Sequence, residues 1–296
     1  MNLSRTNLRI ALDRVLPDRP VHRDVRGIDM LLPRRHVLPY MATSSAYAQN
    51  LIDLAELLRA AEGDLVVLDV GANVGDSALL IRDRVDCRIV CVEGDPEWLT
   101  YLRHNVGAVD GVEVEAALLA DESRFVSIVH GDVGTSRVEP AHESAGVRTL
   151  PVTDLLDRHP DLARVRLVKS DTDGWDVKLA PAFARTFTGS RPIIFIEYDP
   201  RPTMLATPEL APSGVFEQLA ALGYTQAVVW TNGGHVLGSC STSELTARST
   251  VLETGRDSIG YQFWDVAVAH EDDPVGRRVL VDVAARGEAW TGAGQF

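Results

Sequence analysis

The segment Leu68-Asp69-Val70-Gly71-Ala72-Asn73-Val74-Gly75-Asp76 holds residues whose types and spacing could do chemistry. Glycines directly after an apolar run permit a tight turn and let a ligand lie against bare backbone. Their spacing is Gly-x-x-x-Gly, where a pyrophosphate loop would want Gly-x-Gly-x-x-Gly. An acid, Asp69, precedes the turn. A carboxylate there is awkward beside a pyrophosphate and helpful beside a cationic ligand carrying an amino group and a sulfonium. A second acid, Glu93, follows Gly71 by 22 residues. A carboxylate at the end of the next strand can accept both hydroxyls of a ribose. Asp95 and Trp98 follow closely enough to line an adenosine pocket. Taken singly, Asp69 reads as a turn cap and Glu93 as a surface acid. In the order strand, turn, helix, strand, acid they read together as one nucleoside site.

The elements that must position these residues alternate. Leu65 to Val70 is a continuous apolar run, as expected of a strand buried on both faces. Asp76 to Arg84 suits a helix, Arg88 to Val92 a second strand, and Pro96 the first turn of a second helix. Further strands are expected at 112–119, 125–130, 165–168, 193–196, 227–230 and 263–269. A helix is expected over 213–222, stopped by Gly223. The polar, Gly- and Ser-rich stretch 131–147 reads as a loop. The run Trp230 to His235 contains Asn-Gly and reads as a turn between edge strands, with His235 at its tip. Strands alternating with helices imply parallel βαβ units, whose ligands bind at the carboxyl ends of the strands. Asp69, Glu93, Asp171, Glu197 and Asp199 all follow directly on apolar runs. Upstream, residues 5–16 and a second pattern from Ser44 (Tyr47, Leu51, Leu54, Leu58) have helical spacing, with Ser44 or Ser45 as the N-cap. Residues 1–60 are expected to form an N-terminal helical extension, and 61–296 the α/β domain.

Composition narrows the functional classes. Net charge is −13, which argues against binding nucleic acid or an anionic membrane. Residues 1–36 run the other way, with eight Arg against four Asp, a net of +4 that leaves −17 for the remainder. Such a stretch reads as a solvated N-terminus, or as a contact for an acidic partner. Cys87, Cys91 and Cys240 have no metal-site or disulfide spacing. No apolar run approaches the ~18 residues of a membrane span, and no signal-type stretch follows Met1. A reducing cytoplasm is the expected compartment.

The ordered set resembles a known family. Val67 to Asp76 is similar to the first motif of the class I methyltransferases, and more narrowly to that of the FkbM family. Leu167-Val168-Lys169-Ser170-Asp171-Thr172-Asp173-Gly174 resembles that family's Lys-Ile-Asp-Val-Glu-Gly segment. Pro192 to Glu197 resembles its next strand, and Ala116 to Leu119 its stretch near the adenine. The likeness covers about residues 60–230. Asp173 departs from the usual Glu, Trp175 from Ala, and Ser170 from an apolar residue. The resemblance implies a Rossmann-like, mostly parallel seven-stranded sheet flanked by helices, with S-adenosylmethionine as cofactor. It implies O-methylation of a small molecule such as a sugar, saccharide or polyketide-type natural product. The expected cofactor contacts are Asp69, Gly71, Ala72, Asn73, Gly75, Asp76 and Ser77 from the first segment. Glu93, Gly94, Asp95 and Trp98 are expected from the second, Ala117 and Leu118 from the third, with Asp171 from the fourth.

A hydroxyl acceptor loses its proton as the new bond forms. A carboxylate or histidine can take it, or a divalent cation such as Mg²⁺ can acidify the hydroxyl. The candidates are Asp171, Glu197 and Asp199, with Asp171 favoured as base. If Mg²⁺ binds, Asp171 with Glu197 or Asp199 would be its oxygen ligands. Alternatively Asp171 and Glu197 orient the cofactor or cap helices. Lys169, one of two lysines beside 27 arginines, would pair with Asp171 or Glu197. His36, Tyr40, His130 and His235 are weaker candidates, the first two through folding of the N-terminal extension over the cofactor. The alternatives are methyl transfer to nitrogen or a carboxylate, a catalytically silent binding domain of the same fold, and an NAD(P)-dependent oxidoreductase. The acceptor's identity, the metal requirement and homo-oligomerisation are left open.

Overall fold

The computed structural model describes residues 16–130, 136–254 and 259–292. The helical pattern expected over 5–16 lies outside them, apart from Leu16. Strands β1 (Pro20–Val25) and β2 (Ile28–Pro33) pair antiparallel around Arg26-Gly27, whose φ angles are 53° and 92°. This hairpin corrects the expectation of a helical extension. Pro20 and Pro33 face one another at its open end, where proline is tolerated, while Val25, Met30 and Leu32 point into the core. A short helix α1 (Leu38–Met41) leads to α2 (Gln49–Glu62). No serine caps α2: it starts after Ala48, which is left-handed, and Ser44 Oγ accepts from the Ala46 N–H at 3.2 Å.

The alternation then runs β3 (Val66–Val70), α3 (Asp76–Arg84), β4 (Arg88–Glu93), α4 (Pro96–Val106) and β5 (Val112–Ala116). Next come β6 (Leu119–Ala120), β7 (Phe125–His130), β8 (Ser136–Pro140), β9 (Val147–Arg148) and β10 (Leu150–Pro151). Strands β8-β7-β9 form a small antiparallel sheet and β6-β10 a parallel pair. Thus β5 stops three residues earlier than expected, and part of the expected 131–147 loop is strand. The chain continues with α5 (Val152–Arg158), β11 (Leu167–Ser170), α6 (Asp176–Thr186), β12 (Ile193–Tyr198), α7 (Pro200–Ala206) and α8 (Gly214–Ala221). It closes with β13 (Tyr224–Thr231), β14 (Val236–Ser241), α9 (Thr242–Arg248), α10 (Thr250–Thr254), β15 (Trp264–His270) and α11 (Pro274–Arg286).

The central sheet has the order β14-β13-β15-β12-β11-β3-β4-β5. β12, β11, β3, β4 and β5 are parallel, and β15 is antiparallel to both β12 and β13. The expected mostly parallel sheet is therefore present, with β14 added as an eighth strand through the hairpin turn at 231–236. Side chains alternate between two buried faces, because successive residues of a strand point oppositely. Val66, Leu68, Val168 and Ile194 join the core on one face; Val67, Cys91, Leu167 and Ile193 join the other, together with Met30 and Leu32 of the hairpin. Among the described residues no helix is long and apolar enough to cross a membrane.

This topology fixes where a ligand goes. From β3 the strand order runs through β4 to β5 on one side, and resumes at β11 and β12 on the other. The order reverses between β3 and β11, and the crevice of such a switch point lies beyond the carboxyl ends of the strands.

Candidate active site

Register brings the polar strand ends together. Lys169 pairs with Asp69 on β3 and with Phe195 on β12, and Glu197 pairs with Asp265 on β15. Residues two apart share a face, so Asp69, Lys169, Glu197 and Asp265 all project to the same side of the sheet. Lys169 Nζ stands 3.3 Å from Asp69 Oδ1 and 3.4 Å from Asp171 Oδ2. Burial opposes the ammonium's charge, but Asp69, Asp171 and Asp76 outweigh it and raise the pKa. Ser77 Oγ donates to Asp69 Oδ2 at 2.6 Å.

The glycine turn works by close approach. At Gly71 φ is +71°, and a Cβ would lie 1.9 Å from the carbonyl oxygen of Asp171. Only a residue without a side chain lets the ends of β3 and β11 meet there. Gly75, at φ +88°, begins α3, and a Cβ on it would meet Val106 at 2.8 Å. Ala72 is 1% exposed. These two shape the turn and line neither of the two cavities at the switch point.

Glu93 closes the turn from the next strand. Its Oε2 accepts from the Asn73 N–H at 2.9 Å and its Oε1 from the Asp95 N–H at 2.7 Å. Burial raises its pKa, against the pull of those backbone donors. Asp95 caps α4 by accepting from the Glu97 N–H at 2.9 Å, and its other oxygen lies 2.9 Å from His130 Nε2. Trp98 packs edge-on against His36, with ring centroids 5.7 Å apart. Neither Asp95 nor Trp98 lines either of the two cavities described next: Asp95 serves as a cap, and Trp98 packs in the core.

Two cavities open at the switch point. The first, with about 650 Å³ of free space including its mouth, is lined by Gly71, Glu93, Gly94, Ala117, Leu118, Ile128, Val138 and Trp175, among others. Gly94 is required there, because a Cβ would sit 2.3 Å from the Leu118 side chain. Trp175 forms an end wall. Its Nε1–H donates to the Val138 carbonyl at 3.3 Å, and the Arg124 and Lys178 charges lie 5.2 Å and 5.0 Å from the ring. Ile128 and Val138 come from β7 and β8, an insertion whose part in the site had no signal beyond the short Phe125–His130 strand.

The second cavity, about 1390 Å³ with its mouth, lies on the Lys169 face. Asp76, Ser77, Lys169, Asp171, Asp173, Glu197, Asp199 and Asp265 line it, with Phe195 and Phe263. Its far wall is the N-terminal segment: His36, Leu38, Met41, Tyr47 and Asn50. Tyr47, expected only as one of a helix's apolar face, donates its hydroxyl proton to Asp76 Oδ2 at 2.7 Å. Asn50 donates to Asp265 Oδ2 at 2.9 Å. Asp199 caps α7 through the Arg201 N–H at 3.0 Å. Burial, then Asp171 and Asp173, pushes the Glu197 carboxyl well up. Burial followed by Asp171 raises Asp173 to about 7. Burial raises Asp265 to about 7 against the Asn50 hydrogen bond. Tyr40, His130 and His235 line neither cavity; His235 packs on Trp290 at 5.8 Å between ring centroids.

The loop joining the cavities is held from below. Buried Ser170 donates to Asp176 Oδ1 at 2.6 Å, and Asp176 Oδ2 accepts from the Thr172 and Gly174 N–H groups at 3.2 Å and 3.4 Å. Ser170 thus departs from an apolar residue because it positions this loop. The carboxylates do not form a ready cation site. Lys169 already stands beside Asp171, and among the described residues no group of three or more potential ligands gathers around a common point.

No family model and no curated protein matches the chain. Solved structures do resemble it. One is the methyltransferase domain of METTL16, 12% identical, covering 92% of this chain and 84% of that one with a TM-score of 0.49. Another is an O-methyltransferase from Bacillus cereus in complex with SAH, 15% identical, covering 78% and 86% with a TM-score of 0.40. A third is methyltransferase FkbM from Methylobacillus flagellatus KT, 12% identical, covering 69% of this chain and 43% of that one with a TM-score of 0.41. Likeness this distant assigns no role to any residue.

Proposed function

We propose that the chain is an S-adenosylmethionine-dependent methyltransferase acting on a hydroxyl of a small molecule, of the FkbM type. The observation that carries this reading is a shared boundary. Gly71, Asn73, Asp171 and Asp173 line both cavities, so a group held in one can be passed directly to a molecule held in the other. The first cavity suits an adenosine. Its walls are largely apolar, and Glu93, which accepts from the backbone N–H groups of Asn73, Gly94 and Asp95, offers its remaining acceptor capacity to ribose hydroxyls. Gly71 lines both cavities, so its backbone marks the place where a cofactor would cross from one to the other. When bound, the cofactor supplies an activated methyl on a sulfonium, and the protein's task is to align the acceptor oxygen and exclude water.

Calorimetric titration of the full chain with S-adenosylmethionine and S-adenosylhomocysteine tests the cofactor. Micromolar binding of both is expected, weakened about tenfold or more by Glu93→Ala, a loss of ~1.4 kcal/mol. Absence of binding by either ligand sinks the proposal. A panel of sugars and polyketide-type alcohols, with and without Mg²⁺, then seeks the acceptor. One observation favours a second reading: Asp173, Glu197, Asp199 and Asp265 crowd carboxyls onto the acceptor side, which suits an amine. The panel therefore pairs each sugar with its amino counterpart.

A further inference from the structure

Resting on the division of cofactor from acceptor proposed above, the reacting carbon must sit where the two cavities meet. A group that takes the acceptor's proton must then line both. Of the four residues that do, only Asp171 and Asp173 carry a side chain able to accept a proton. Asp171 Oδ2 is engaged by Lys169 at 3.4 Å, and a proton arriving there would break that pair. Asp173 has no such partner among the described residues. Its carboxyl accepts from the backbone N–H of Ser136 on β8, and the charged groups that act on it most strongly, among the described residues, are acids. They are Asp171 on its own loop, Asp176 at the start of α6, and Glu197 and Asp199 at the end of β12.

The backbone supports the same assignment. Asp173 sits at φ 51°, a left-handed conformation that non-glycine residues seldom adopt and that tends to be kept at functional sites. Gly174 follows at φ +114°, pressed so closely on α7 that a Cβ would lie 2.6 Å from the carbonyl carbon of Pro202. The Ser170–Asp176 network holds this turn, and the turn lifts the Asp173 carboxyl to the boundary.

We infer that Asp173, and not Asp171, is the catalytic residue that removes the acceptor's proton. As the acceptor oxygen bonds to the methyl carbon, the carbon–sulfur bond breaks and its electron pair stays on sulfur, leaving a neutral thioether. The hydroxyl proton passes to the Asp173 carboxylate and is lost to water between turnovers. Burial and the neighbouring acids raise Asp173 to about 7, which suits a base working near neutrality.

The full chain, S-adenosylmethionine and the best hydroxyl acceptor from the panel provide the test. Asp173→Asn is expected to lower kcat about 10²–10⁴-fold and to remove the rise of kcat with pH through neutrality, while changing the Kd for S-adenosylhomocysteine less than about threefold. Asp173→Glu restores part of the rate together with the rise, and Asp171→Asn keeps the rise. A rise that persists in Asp173→Asn, or vanishes only in Asp171→Asn, overturns the inference. A second readout needs no acceptor: carboxyl ¹³C titration of the S-adenosylhomocysteine complex, with Asp173→Asn assigning the resonance. A midpoint of about 7 supports the inference; a carboxyl fully ionised by about pH 5 overturns it even if no acceptor is found. Failure to bind S-adenosylhomocysteine at all is a different result, and strikes the cofactor reading itself.

Discussion

The two cavities meet along four residues yet are made of opposite material. The first is walled by Leu118, Ile128, Val138 and Trp175, and the one carboxylate it does not share with the second, Glu93, is tied down by backbone donors. The second is walled by carboxyls, several of them held above their ordinary range. Their sources differ too. The first cavity is drawn from residues 70–175, a local stretch of the chain. The second gathers residues 36–51, the ends of β11 and β12, and the turn and strand of 232–265. The contrast separates two tasks: a rigid, locally built seat for a fixed ligand, and a long-range, electrostatically loaded space whose character can change without disturbing that seat.

Lys169 is where the two regions can be broken together. Lys169→Met leaves Asp69, 1% exposed, without its ammonium. Removing one partner of a buried pair costs about 3–5 kcal/mol, so a loss of that order in urea unfolding is expected, along with cofactor binding. Near-wild-type stability would mean that the pair is not the tie between the two regions.

Acidity sharpens the comparison at the next level of magnitude. Asp173 and Asp265 are raised to about 7 in the folded chain, through burial first. A carboxyl whose folded pKa exceeds its unfolded one binds more protons when folded. Its contribution to stability is therefore present at low pH and is lost as pH rises through about 7. Unfolding free energy is expected to drop by about 1–3 kcal/mol between pH 6 and pH 8, and the double variant Asp173→Asn, Asp265→Asn should flatten that slope. An unchanged slope in the variant would place its origin elsewhere. The smallest effect belongs to the segment that covers the second cavity. Tyr47→Phe removes one hydrogen bond to Asp76, and thermal unfolding should register about 1 kcal/mol. Acceptor KM is expected to rise more than cofactor Kd; equal changes would mean that the segment serves both cavities alike.

Where the sequence could be read, local chemistry and local structure agreed. The unit of strand, glycine turn and helix at 66–84 follows the apolar run and its glycines almost residue for residue, and Lys169 beside Asp171 follows from adjacency on one strand. Trp98 misleads because an aromatic near Glu93 looks like a ligand wall, whereas the cap at Asp95 turns its helix so that the ring faces the core. The hairpin at 20–33 was legible in the alternation of Val25, Met30 and Leu32 around Arg26-Gly27, but the prolines at its open end hide it. Tyr47 and Asp265 could not be assigned from spacing. Their partners, Asp76 and Asn50, are 29 and 215 residues away, and only the folded sheet brings them together.

That last separation sets an order of assembly. On a ribosome the stretch that encloses the first cavity has emerged by Trp175, whereas the hydrogen bond from Asn50 to Asp265 must wait for a further 90 residues or so. β15, which carries Asp265, slots between β12 and β13 and arrives after both. During synthesis, then, the second cavity is the last part of the candidate site to close, and truncation before β15 would remove that wall while leaving the whole lining of the first cavity in the chain.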